Sequence, residues 1–344
     1  MIPPESPAAP SPQGDAASGR AEPVPRRHAH GLLRGLLNFQ APTGDARLLF
    51  GFWLGVLGVT CFAITLPATR LATGTAADPQ LSPAFVTAGR AALAGLLSAA
   101  FLLIARSPWP TGAQWRALSL SMAGNVIGFP LLLAWALRSV TATHAAVILA
   151  LLPLATAAVA AWALHQRARP AFWACAVLGS ALVVVFAWMR TGAYGGFGLT
   201  SADWLLAGAV VAASVGYVYG AKVTPALGAE RVICWVCLGA LPITLPIALW
   251  LWPANAGDIR PSAWAGFVYV GTVSMWAGFF AWYRGLDWGG ALRVSQVQLL
   301  QPFLSMLFAV PLLGERLDAM SIGFALAVVA TVFLSRRLAR PVAN

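Results

Sequence analysis

Residues 135–167, WALRSVTATHAAVILALLPLATAAVAAWALHQR, and residues 283–316, YRGLDWGGALRVSQVQLLQPFLSMLFAVPLLGER, carry one pattern twice. Moving the first stretch along the chain by 149 positions places Leu137 on Leu286, Pro153 on Pro302, Gln166 on Glu315 and Arg167 on Arg316, with no gap. Coincidences at the start, the middle and the end of one run indicate an internal duplication. Each copy is a long apolar run with a proline in its middle and a short polar break at its end.

Composition says where such runs belong. The chain has 344 residues, 59% of them hydrophobic and only 10% charged, against roughly 25% charged in a soluble domain. So few charges cannot cover a water-facing surface, so most of the surface faces lipid. The net charge of +11 is almost all arginine, with Lys222 the only lysine. A basic chain can bind nucleic acid through a clustered patch. Here the arginines stand singly between apolar runs, which excludes that partner and matches the charge pattern of membrane topology. Cys61, Cys175, Cys234 and Cys237 all lie inside apolar runs. Cys234 and Cys237 form a CxxC that can be read as redox or metal-binding. No second pair accompanies it, so both are taken as small apolar residues of a packed helix.

A transmembrane helix needs about 20 apolar residues. Ten runs fit, at about 48–71, 83–105, 115–137, 142–164, 171–189, 202–222, 230–252, 262–283, 291–313 and 319–335. Barrel strands would be about 10 residues long with alternating polarity, so the runs are helices. Residues 1–46 are rich in Pro, Ala, Ser and Gly and read as a disordered cytoplasmic tail. No apolar core follows a basic start, so the tail is not a signal peptide. Within it Gly31–Phe39 has the makings of a short surface helix. With the N-terminus inside, Arg70, Arg138, Arg190, Arg260 and Arg316 fall outside and Arg90 within a span, leaving sixteen of the 22 basic residues inside. That bias puts both termini in the cytoplasm. The first repeat then covers 47–190 and the second 201–337. Five spans per half is an odd number, so the second copy enters the membrane from the opposite face. The expected fold class is all-α integral membrane, ten transmembrane helices as two inverted five-helix repeats, with a site near the midplane between them.

Pro302 in the ninth run, the pair Gly314–Glu315 and Gly323 then give the chain a family likeness. It resembles the drug/metabolite transporter superfamily, in its ten-helix branch with two EamA-type repeats, over about residues 48–337. The first half fits less closely: Pro153 is present, but Gln166 stands where the family often has Glu and Ala174 where it often has Gly. The resemblance implies transport of amino acids, other small metabolites or drugs, usually outward, through a cavity built by inner helices including the third, fourth, sixth, eighth and ninth.

Several residues are candidates for the chemistry. Pro153 and Pro302 each remove a backbone hydrogen bond and free the carbonyls of Leu149 and Gln298; they are either hinges or static kinks. Arg90 is the one charge well inside a span. It either pairs with an anionic group of a substrate or snorkels to a helix end. Its repeat equivalent is Gly239. Ser295, Gln296, Gln298 and Gln301 make the ninth run unusually polar. Their amides need partners inside the bundle, and Gln298 and Gln301 are the pair placed to line a cavity. Asn125 needs a partner of the same kind. Trp135, Tyr217, Tyr219, Trp276 and Tyr283 are candidates for an amphipathic cavity wall. His144 and its equivalent Arg293 are candidate mirrored gates. Glu315 is either a coupling acid or a helix-end acid that holds its turn.

The expected function is a secondary transporter, working by alternating access and exporting a small molecule across a bacterial inner membrane. Its expected partners are that substrate and the bilayer, and a homodimer is compatible with it. No GxxxxGK[ST] motif is present to bind ATP, and no residue set implies a cofactor or a metal. The rivals are a membrane-embedded lipid-modifying enzyme and a non-transporting scaffold or sensor. The enzyme would need convergent acids or histidines, whereas Asp203, Glu230, Asp258, Asp287, Glu315 and Asp318 are scattered near loops.

Overall fold

The computed structural model describes residues 45–163, 170–192, 199–289 and 295–338, all within one compact unit, Pro42–Asn344. Among the described residues the chain is helical, with one isolated extended bridge between Gly74 and Pro79. In chain order the helices are α1 Asp45–Thr73, α2 Pro83–Ile104, α3 Gly112–Ala136, α4 Ala142–Ala163, α5 Pro170–Gly192, α6 Ser201–Leu227, α7 Glu230–Trp250, α8 Pro261–Gly285, α9 Gln301–Leu313 and α10 Ala319–Leu338. Seven of them, α1 to α4 and α6 to α8, are long and apolar enough to cross a membrane. In the other three the apolar stretch is shorter, at Trp173–Phe186, Val297–Leu313 and Ala319–Thr331. The expectation of ten spans is thus met directly at seven. The tail, the break at 164–169 with Gln166, and Arg293 lie outside the described residues.

The helices start where side chains can take up free N–H groups. Ser82 accepts from the N–H of Phe85 at the head of α2, and Thr141 from that of His144 at the head of α4. Thr111 with Gln114, and Thr200 with Asp203, form reciprocal capping boxes on α3 and α6.

Packing relies on small residues. A methyl group on Gly285 of α8 would lie 2.6 Å from the backbone nitrogen of Gly55 in α1. One on Gly124 of α3 would lie 2.3 Å from the carbonyl oxygen of Ala212 in α6. Glycine lets these helix backbones touch, which is how dispersion forces join helices where lipid supplies no hydrophobic drive. The large apolar side chains point the other way: Trp53, Leu103, Trp162 and Trp250 are among the most exposed residues, as a lipid-facing surface requires. Cys234 and Cys237 are free thiols packed in the apolar core beside Ala91 and Ala94 of α2.

The 149-residue shift has structural counterparts. α2 packs on α7, α4 on α9 and α5 on α10, each on its own equivalent. α1 packs on α8, and its counterpart α6 packs on α3. The middle of α3 widens into a π-helix over Met122–Gly128, and α8 does the same over Val270–Ala277, one register of 149 away. Such widened turns are uncommon and gather at functional sites. α4 breaks after Leu149, with a new helix starting at Leu152 beside Pro153. α9 is preceded by a 3-10 segment, Ser295–Leu300, and starts beside Pro302. Both prolines therefore stand in the first turn of a new helical segment, where the missing N–H costs nothing.

Candidate functional site

The irregular segments of α3, α4, α8 and α9 converge on the middle of the bundle. There a small cavity of about 40 Å³ is lined by Arg90, Asn125, Tyr217, Ser274, Thr65 and Gln301, with apolar walls from α1, α3, α4 and α8. A second cavity of about 20 Å³ lies between α4 and α9 and is lined by Pro153, Pro302, Gln298 and Gln301. Leu66, Leu149, Leu152 and Gln301 line both, so they form the partition between them. Spaces of this size hold a water or two, far below the ~300 Å³ of a typical ligand pocket.

Arg90 sets the electrostatics. It is 3% exposed and donates from Nη2 to the Ser274 hydroxyl at 3.1 Å. That hydroxyl lies 2.7 Å from Thr65 Oγ1, which ties α2, α8 and α1 together. Nε and Nη1 of Arg90 have no partner. A charge buried in a span costs at least about 2.5–3.5 kcal/mol on insertion scales. Ser274 and Asn125 stand at equivalent positions of the two π-helices, so the widened turns present a polar side chain to the cavity from each half.

The structure thus brings Arg90, Asn125, Tyr217 and Gln301 together, with Gln298, Pro153 and Pro302 next door. Other expected wall residues lie elsewhere. Trp135 points outward and is 49% exposed; periodicity alone does not say whether an aromatic faces lipid or core. Tyr219, Trp276 and Tyr283 pack in the aromatic core rather than on either cavity. Trp276 rests on Phe280 with ring centres 4.7 Å apart, and Tyr283 on Phe279 at 5.5 Å. A larger opening of about 330 Å³ lies between α4, α5 and α6. Its aliphatic lining includes Val184 and Val211, which are exposed on the outside of the bundle, so it is a lipid-facing recess.

A second polar cluster closes one end of the bundle. Gly314 ends α9 with φ of 69°, a left-handed turn that suits glycine, and the turn carries Glu315 across to α4. Glu315 accepts from the N–H of Ala142 at 2.7 Å, and from the N–H and hydroxyl of Thr143 at 2.9 and 2.7 Å. The expectation that it holds its own turn is corrected: it caps a helix of the other half. Arg70 donates to the carbonyl oxygens of Leu137 and Val140 and stands 3.8 Å from Glu315. Beside them His144 Nε2 lies 2.7 Å from Asp203 Oδ1, both side chains buried. Arg70 and Asp203 escaped the sequence reading because their partners are distant in sequence. The Thr200-x-x-Asp203 capping box was the one local signal.

Comparison with known proteins fits this architecture. The model of the EamA-like transporter family matches residues 49–188 and again 200–337. This chain belongs to the EamA-like transporter family. This EamA chain is 39% identical over 289 residues to the uncharacterized transporter YdeK of Bacillus subtilis (strain 168), covering 84% of this chain and 98% of the relative. A solved crystal structure of 23% identity superposes with a TM-score of 0.54, covering 88% of the EamA chain and all of its counterpart. That likeness bears on the fold alone. Family and relative together support a multi-pass membrane transporter.

Proposed function

We propose that the chain is a secondary transporter that exports small metabolites or amino acids by alternating access, built as two inverted five-helix repeats (47–190 and 201–337) with both termini cytoplasmic. One observation carries the proposal: Pro153 and Pro302, at equivalent places in the two halves, break α4 and α9 and flank one small cavity. A break in each half gives each half its own hinge. Closing one hinge while opening the other exposes the central cavity to one side at a time, with two shapes of similar energy.

Other features support the reading. Packing of α2 on α7, α4 on α9 and α5 on α10 is what a two-fold exchange axis between halves produces. The cluster of Glu315, Arg70 and the head of α4 ties both halves at one end and acts as a gate that opens in one phase of the cycle. His144 belongs to that gate through Asp203, and Arg293 is its counterpart at the inner face.

Flux through proteoliposomes holding the purified chain tests the proposal, using a broad metabolite panel with counterflow. Saturable counterflow supports a carrier. Its absence for every compound overturns the reading. Reporter fusions at the C-terminus and between the two repeats, in residues 190–201, test the inversion: the first belongs inside and the second outside.

A further inference from the structure

We infer that Arg90 is the recognition group for an anionic head, and that the cargo is a small amphipathic monoanion, a carboxylate or sulfonate on an apolar body, rather than a zwitterion or a cation. This rests on the transport reading above and narrows it.

The chain itself shows how it treats an architectural arginine. Arg70 is held by two backbone carbonyls and a carboxylate. Arg90 is more deeply buried, yet it has one hydroxyl partner and two nitrogens without any. A guanidinium keeps its charge in proteins and offers five donors in a planar fork suited to a carboxylate or sulfonate. Among the described residues no Asp or Glu lines the cavity; its other polar groups are neutral hydroxyls and amides. The positive charge is therefore left for a ligand to neutralise. The same absence leaves an ammonium group only neutral oxygens and aromatic faces beside a fixed positive charge, which disfavours cations and zwitterions.

The fold does not demand this charge. The equivalent of Arg90 in α7 is Gly239, which packs against Trp115 instead. The rest of the cavity wall is apolar, from Phe62, Phe129, Phe279, Leu149, Leu152 and Met275. An apolar body fits against that wall once the partition of Leu66, Leu149, Leu152 and Gln301 opens towards the Pro153–Pro302 cavity. The anionic head then sits at Arg90 and the body lies toward α4 and α9, whose movement the cycle requires.

The experiment uses the full-length chain purified in detergent and also reconstituted. Calorimetry measures binding of benzoate, benzenesulfonate and phenylpyruvate, set against benzenesulfonamide, phenylalanine and benzylamine as neutral, zwitterionic and cationic probes. The expected result is binding of at least one anion at ten-fold or more higher affinity than any of the other three. Arg90→Gln is expected to remove that preference. Arg90→Lys, which keeps the charge but not the fork, is expected to retain part of it, and it carries the comparison if Arg90→Gln does not fold. Binding of none of the three anions overturns the inference, as does tighter binding of the amine or the zwitterion, or an unchanged preference in Arg90→Gln or, should that not fold, in Arg90→Lys. Anion binding without counterflow would leave the site standing and overturn the transport reading instead.

Discussion

Oε2 of Glu315 lies 2.9 Å from the backbone nitrogen of Thr143, so a carboxylate at the end of α9 caps the first turn of α4. The two residues are 172 positions apart. The contact makes the end of one half the start of a helix in the other. Negative charge is favoured at a helix N-terminus, where free N–H groups and the helix dipole coincide.

Replacing Glu315 by Ala would leave the N–H groups of Ala142 and Thr143 without their acceptor and Arg70 without its counter-charge. Loss of a cap typically costs about 0.5–2 kcal/mol, and each buried donor left unpaired adds about 1 kcal/mol or more. The expected total is about 2.5–4 kcal/mol, read as a clear drop in melting temperature in detergent. Glu315→Gln keeps one acceptor oxygen and should lose about half as much. An unchanged melting temperature for Glu315→Ala would mean that the contact contributes nothing.

Much of this was legible in the sequence, and the remainder was hidden for identifiable reasons. Pro153 and Pro302 announce helix breaks, because a ring nitrogen cannot donate whatever surrounds it. Arg90, Asn125, Gln298 and Gln301 stand out because an apolar chain places polar groups inside only where they are held or used. Trp135 could not be placed, since lipid and protein core are equally apolar and an aromatic side chain suits both. The π-helices left no mark either: the turns around Asn125 and Ser274 pack chiefly against α6 and α2, partners that no local pattern names. Glu315 was visible, but its partner on α4 was not, because pairing across 172 residues is a property of the fold.

Glycine contacts give a stability prediction with its own control. Gly124→Ala would force a methyl group to 2.3 Å from the Ala212 carbonyl oxygen, and Gly285→Ala to 2.6 Å from the Gly55 nitrogen. Backbone atoms cannot swing aside, so the helices must separate and lose packing. Each change is expected to cost more than about 2 kcal/mol, within the range of overpacked cores. Gly257→Ala meets nothing within 4 Å and should be neutral. Size-exclusion profiles and melting curves of the three variants decide the matter, and equal behaviour would refute the close-approach account.

His144 and Asp203 join the head of α4 to the head of α6 at 2.7 Å. Asp203 also accepts through Oδ2 from the N–H and hydroxyl of Thr200, so it keeps partners when His144 is lost. A double-mutant cycle with His144→Ala and Asp203→Asn isolates the pair. Groups in direct contact typically couple by about 0.5–3 kcal/mol, and the expected value lies in the upper half because both side chains are buried. Coupling near zero would show the two side chains to be independent.

The hinge reading makes a demand that a static kink does not. Alanine at 153 or 302 restores a backbone donor and removes the proline ring, each of which favours a continuous helix. If the breaks only let helices pack, Pro153→Ala and Pro302→Ala should lower the melting temperature or leave it unchanged, with flux following the amount of folded protein. If the breaks are where α4 and α9 bend during the cycle, straightening them should hold or raise the melting temperature while slowing turnover, the usual trade between rigidity and activity. The expected outcome is several-fold slower counterflow per folded molecule with the preference for anions unchanged, because neither proline lines the cavity that holds Arg90. The double variant should be slower than either single one, since each proline serves the half it belongs to. Normal turnover in a stabilised double variant would show that the breaks are architectural and that the moving parts lie elsewhere.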